Sequence, residues 1–216
     1  MTADFPWGRQ RSPQRYSGLR HGVQHEGSVR GGRRGDAMNS RRLFFAPWPG
    51  EGLREQIQNA DYPRLKDRTT PRENWHTTLV FLGPSSASQQ EGFERAAATL
   101  SARPFELTLD VTGYFRKARV AWLGCQHPPS QLMDLQRELE HALRASCPRH
   151  PAFYAEERVF RPHLTLYRNI RHSPRARQIT PIHWAVSEFC LVESRPSERP
   201  VYTILKRWPL CSDEGS

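Results

Sequence analysis

Two short stretches of this chain each carry a histidine, any residue, a threonine and a leucine. They are Trp75-His76-Thr77-Thr78-Leu79-Val80-Phe81-Leu82-Gly83 and Arg161-Pro162-His163-Leu164-Thr165-Leu166-Tyr167. Runs of β-branched and aromatic residues bounded by turn formers read as strands, and strand side chains point alternately to opposite faces. His76 and Thr78 therefore share one face, with Thr77, Leu79 and Phe81 on the other, expected toward the core. His163 and Thr165 are set in the same way against Leu164 and Leu166. If the strands lie side by side, two imidazoles and two hydroxyls line one cleft. Histidine, with an ordinary pKa of about 6.5, supplies both a proton donor and a proton acceptor near neutral pH. Threonine hydroxyls can donate hydrogen bonds to oxygens that gather negative charge, and each aimed donor is worth about 3 kcal/mol in a dry site. No H-E-x-x-H or aspartate-rich pattern appears, so neither a metal nor another cofactor is expected. The other histidines, His21, His25, His127, His141, His150, His172 and His183, have no such context.

The elements that must position these stretches are legible in outline. Leu43 to Trp48 is an apolar strand ended by Pro47 and Pro49-Gly50, and Leu53 to Ala60 has the spacing of a short helix. After Gly83-Pro84, Ser88 and Glu91 fit a capping box, and Phe93, Ala96, Ala97 and Leu100 recur at helical spacing. Phe105 to Val111 and Val120 to Leu123 read as two strands joined by the basic turn Arg116-Lys117-Ala118-Arg119. Ser130 can cap a second helix whose Leu132, Leu135, Leu139, Ala142 and Leu143 form one apolar stripe. The second histidine stretch leads into a basic loop over 168–177. A strand from about Trp184 to Val192 and another from Val201 to Lys206 close the chain. Short strands mixed with helices and joined by hairpin-like connections predict an α+β fold with antiparallel sheet.

Composition narrows the class. The 216 residues suit one domain or two joined lobes, and 32 Lys+Arg against 22 Asp+Glu give a net charge of +10. A sequence pI of about 10.1 points to a polyanionic partner, with nucleic acid the natural candidate. Residues 1–37 hold 7 of the 14 glycines and 7 arginines but little that could pack, so they are expected to be a disordered extension. The domain proper is expected over 38–210, with a short tail over 211–216. Cys125, Cys147, Cys190 and Cys211 form neither a disulfide framework nor a metal-ligand rhythm. With no apolar run long enough to span a membrane and no signal-peptide segment, a soluble cytoplasmic monomer is expected.

The paired H-x-T-L motifs resemble the signature of the 2H phosphoesterase superfamily. More narrowly, the chain is similar to the bacterial RNA 2',3'-cyclic phosphodiesterase branch, also called 2'-5' RNA ligase-like. The similarity extends to Arg42-Leu43-Phe44-Phe45-Ala46, Gly113-Tyr114-Phe115, Arg119-Val120-Ala121-Trp122-Leu123-Gly124, Tyr202-Thr203-Ile204-Leu205 and Trp208-Pro209-Leu210. This resemblance implies two pseudo-symmetric lobes of antiparallel sheet with helices outside, one H-x-T strand from each lining a central cleft. It implies metal-independent hydrolysis of RNA 2',3'-cyclic phosphate ends to 2'-phosphomonoesters, with His76 as proton donor, His163 as proton acceptor, and Thr78 and Thr165 on the phosphate. Arg168 stands where the family often has a phosphate-binding arginine, although strict alternation would turn it away from His163. Phe115 could stack on a base, and Tyr167, by alternation on the motif face, could narrow the pocket. Trp122, Phe44 and Trp208 are expected in the core. The alternatives are 2'-5' RNA ligation through the same histidines, and a module that binds RNA ends without turnover.

Overall fold

The computed structural model describes residues 40–154, 159–195 and 200–211, so the predicted extension over 1–37 and most of the tail lie outside the described residues. In chain order the elements are β1 (Arg41–Ala46), α1 (Glu51–Asn59), β2 (Arg68–Thr69), β3 (Val80–Ser85), α2 (Ala87–Ala97), β4 (Phe105–Phe115), β5 (Val120–Gly124), α3 (Ser130–Ser146), β6 (His163–Arg168), β7 (Arg177–Val186), β8 (Glu188–Arg195) and β9 (Val201–Pro209). They form two antiparallel sheets, one in the order β3-β1-β8-β9 and the other in the order β2-β6-β5-β4-β7. The expected α+β architecture is what the chain adopts.

The sheets do not divide the chain into halves. β1 and β3 share a sheet with β8 and β9 from the far end of the sequence, joined by the pairing of β1 with β8, whereas the middle of the chain builds the second sheet. β2 is the exception, an early strand inserted at the edge of the later sheet against β6. Both H-x-T stretches are thereby drawn to the seam between the sheets.

Each element forms for a local reason. In α3, Leu132, Leu135, Leu139 and Leu143 are all essentially fully buried, and each such leucine contributes roughly 2 kcal/mol of apolar transfer. α1 sets Leu53 and Ile57 on its buried side, one turn apart. β7 contains Pro181, which lacks the backbone donor a central strand would need, and β7 lies at a sheet edge.

Several boundaries depart from the sequence expectation. α2 is capped two residues earlier: Ser86 accepts from the Gln89 N–H at 3.3 Å, and the Gln89 side chain accepts from the Ser86 N–H at 2.8 Å. α3 has Pro129 at its N-cap, so Ser130 is its first residue rather than its cap. The single strand expected over 184–192 is the end of β7 and the start of β8, separated at Ser187. Regular ladder in the first histidine stretch begins only at Val80, and burial changes phase there. Leu79 and Val80 are both buried, and Phe81, expected toward the core, is 44% exposed beneath the Arg42 guanidinium.

Candidate active site

The two H-x-T stretches meet through a single antiparallel bridge between Thr77 and Leu164, the two residues that point away from the cleft and are fully buried. Two residues further on, the first stretch joins the other sheet, where the Leu79 N–H donates to the Phe45 carbonyl at 2.8 Å. Extending the Thr77–Leu164 register by one residue sets His76 opposite Thr165 and Thr78 opposite His163. The four side chains form a square with the histidines on one diagonal and the threonines on the other. All four are half-buried. Directly opposed side chains in such a pair stand about 5 Å apart at Cβ and diagonal ones about 7 Å, which leaves room for one tetrahedral group between the imidazoles.

The rings are pinned in the same way. His76 Nδ1 lies 2.7 Å from the Asn74 carbonyl, and His163 Nδ1 lies 2.7 Å from the Arg161 carbonyl. A carbonyl only accepts, so each Nδ1 carries its proton and the neutral ring keeps its lone pair on Nε2. Asn74 is itself buried, and its side chain donates to the Pro200 carbonyl at 2.8 Å, tying the His76 pin to the start of β9.

Burial pushes the His76 imidazole down to about 4; the Asn74 carbonyl opposes the shift, and the positive charges of Arg168 and His163 add to it. Burial also lowers His163, again opposed by its carbonyl partner and reinforced by Arg168. The free cleft therefore holds both histidines neutral at pH 7, short of the mixed state that an acid–base pair needs.

The surroundings of the two rings differ. His76 is enclosed by Trp48, stacked at 5.0 Å and 4°, by Phe44 at 4.8 Å, and by Tyr202 edge-on at 5.2 Å. Phe44 belongs to a small separate cluster with Ala46, Cys190 and Val192, so it is buried on the cleft side of its sheet rather than in the main core. Sequence reasoning did not connect Trp48 or Tyr202 to the site. The one available signal was the tryptophan held between Pro47 and Pro49. His163 is bordered by Phe115, edge-on at 4.8 Å, and by Trp122 at 6.3 Å. Trp122, expected in the core, is half-buried and stands opposite Thr165 in the register. Trp208, by contrast, lies in the main core, stacked on Phe189.

Two glycines make room for Trp122. A Cβ at Gly113 would lie 2.1 Å from the indole, and one at Gly124 would lie 2.9 Å from it. Gly113 pairs with Trp122, and Gly124 follows two residues later on the same face, so the ring lies flat along a floor without side chains. The W-x-G spacing of β5 and Gly113 in β4 are both visible in the sequence, but only the pairing of the two strands gives them meaning.

Arg168 and Tyr167 exchange their expected orientations. The β5–β6 register runs Trp122 with Thr165, Ala121 with Tyr167 and Val120 with Arg168, so Leu166 is an extra residue in a bulge. Alternation restarts beyond it. Tyr167 turns into the main core, 5% exposed, and does not share the motif face. Arg168 turns back to the cleft, close enough for its charge to act on both histidines. The site thus brings together His76, His163, Thr78, Thr165, Phe115 and Arg168 and leaves Tyr167 out. Among the described residues, no group of three or more His, Cys, Asp or Glu stands where it could hold a metal ion, and no helix is long and apolar enough to cross a membrane.

Residues 49–198 match the family model of the 2'-5' RNA ligase superfamily. The chain is 37% identical over 179 residues to the RNA 2',3'-cyclic phosphodiesterase of Escherichia coli K12, covering 78% of this chain and 96% of that protein. A protein of the same name from Thermus thermophilus is 27% identical over 186 residues, covering 81% of this chain and 92% of the relative. Among solved structures, E. coli LigT complexed with 3'-AMP superposes with a TM-score of 0.71 at 32% identity, over 81% of this chain and all of that one.

Proposed function

The chain belongs to the 2'-5' RNA ligase superfamily, and on that premise we propose that it hydrolyses RNA 2',3'-cyclic phosphate ends to 2'-phosphomonoesters, using His76 and His163 as an acid–base pair without a metal. The observation that carries this reading is the reciprocal pairing at Thr77–Leu164, which sets the two imidazoles on one diagonal of a square and the two hydroxyls on the other. A phosphorus atom at the centre of the square has an imidazole on each of two opposite sides. That is the arrangement an in-line displacement needs. His163 Nε2 takes a proton from the attacking water on one side, and His76 Nε2 gives a proton to the departing ribose O3' on the other. The direction of transfer follows the family resemblance. Thr78 and Thr165 donate to the non-bridging oxygens, where negative charge accumulates in the transition state.

The lowered histidine pKa values support a role for the substrate in arming the pair. Burial and the Arg168 cation keep both rings neutral in the free cleft. A bound diester anion opposes both effects and restores proton affinity, so the donor gains its proton as the substrate enters. Arg168, returned to the cleft by the bulge, supplies positive charge beside the square and attracts the anionic RNA end.

The test is turnover of a short RNA ending in a 2',3'-cyclic phosphate, in excess EDTA, for the intact protein and for His76→Ala and His163→Ala. We expect a 2'-phosphate product and a loss of at least about a hundredfold in each variant. Undiminished turnover in either variant, or dependence on added metal, would remove the two-histidine mechanism. A 3'-phosphate product would overturn the assigned bond cleavage.

A further inference from the structure

One edge of β6 is lined by two consecutive stretches of the chain. β2 pairs Arg68 with Arg168 and Thr69 with Tyr167, the Thr70 N–H donates to the Leu166 carbonyl at 2.8 Å, and the first histidine stretch then pairs Thr77 with Leu164. Along this edge three cross-strand pairs face the cleft in succession: Thr78 with His163, His76 with Thr165, and Arg68 with Arg168. The first two pairs form the square described above. The third sets two arginines at directly opposed backbone positions, a like-charge pairing that destabilises a ladder unless something negative lies between.

Among the described residues the carboxylates seen in ion pairs are held by other cations, so none of them offsets that repulsion. Arg68 is exposed and Arg168 half-buried, so both can reach a ligand at the cleft rim. Backbone pairing to β6 holds Arg68 where it is. The pair lies beyond His76 along the edge of β6, one step outside the square that would hold the reacting phosphate. A planar guanidinium pair in that position matches a second phosphate on the same ligand.

We propose that Arg68 and Arg168 together bind the phosphodiester linking the terminal nucleotide of the RNA to its upstream neighbour, so that the protein selects an oligonucleotide end over a cyclic mononucleotide. The inference rests on the cyclic-phosphodiesterase reading of the cleft. It adds Arg68, which lies outside both motifs, as a specificity residue.

The test is binding, by fluorescence anisotropy, of a labelled trinucleotide ending in a 3'-phosphate, compared with the same molecule carrying an uncharged methylphosphonate at the linkage before the terminal nucleotide. The intact protein is expected to prefer the charged linkage by about tenfold, and Arg68→Gln to lose that preference. The salt dependence of binding to the charged trinucleotide should fall by about one unit of slope in Arg68→Gln. Arg68→Lys, which keeps the charge, should retain part of the preference, and circular dichroism of both variants excludes a folding defect. Equal weakening of the charged and neutral trinucleotides by Arg68→Gln, or no preference in the intact protein, would overturn the inference. Turnover of a cyclic-ended RNA is measured in parallel. Linkage-selective binding without any turnover would sink the hydrolase reading alone, and turnover without linkage selectivity would sink this inference alone.

Discussion

Replacing Gly113 with alanine tests the floor of the cleft without touching a proposed catalytic group. The added methyl would sit 2.1 Å from one carbon of the Trp122 indole and 2.4 and 2.6 Å from two others. Contacts below 3.0 Å are essentially never made by real Cβ atoms, so the ring must move by about 1 Å or more. An indole lifted off this floor moves among its ring neighbours, Phe115 at 5.3 Å and His163 at 6.3 Å. Overpacking of this kind costs about 1 to 3 kcal/mol in a closed core. Here the indole is half-buried and opens onto the cleft, so stability should fall toward the lower end of that range. Activity should suffer more, because a displacement of about 1 Å beside a reacting group can cost roughly a hundredfold in rate. The assay is kcat/KM on a cyclic-ended RNA together with a thermal melt, for Gly113→Ala, Trp122→Leu and the double variant. In the Trp122→Leu background the added methyl meets no indole, so Gly113→Ala should then change kcat/KM by less than about twofold. A Gly113→Ala single variant with intact-protein kcat/KM would refute the argument that the glycine floor sets the geometry around His163. An equal loss in both backgrounds would refute it too.

Thr165→Val should raise the barrier to turnover by about 2 to 4 kcal/mol with little change in stability, and an unchanged kcat would remove the hydroxyl from the mechanism. The pH dependence of kcat/KM should be bell-shaped and lie on the acid side of the ordinary histidine pKa, because His76 is held down to about 4 and His163 is also lowered. Raising the pH strips the donor of its proton, lowering it protonates the acceptor, and either change slows the reaction. Arg168→Gln removes a cation that lowers both rings, so both limbs of the bell should move to higher pH while the rate falls. Limbs that stay in place or move down would contradict the role given to the Arg168 charge.

The chemistry of this protein was written mostly in local pattern. Two H-x-T-L runs are self-contained statements about period-two side-chain alternation, and that alternation already assigned His76 with Thr78 and His163 with Thr165 to shared faces. The leucine stripe of α3 and the β4–β5 hairpin with its basic turn are equally local and came through for the same reason. What failed depended on a partner. Alternation wrongly turned Arg168 away from the cleft and Tyr167 toward it, because the extra residue at Leu166 exists only in relation to β5: a bulge is a mismatch between two strands and leaves no mark on either one alone. Trp122 looked like a core residue until pairing set it over Gly113. The enclosure of His76 by Phe44, Trp48 and Tyr202 joins residues from the first and last strands of the fold, and the facing arginines at positions 68 and 168 are no closer to being local. The sequence by itself determined which groups could transfer protons and which faces they occupied. Only the tertiary structure decided their opposition across Thr77–Leu164, the walls around them and the charge beside them, because non-local strand pairing sets each of these.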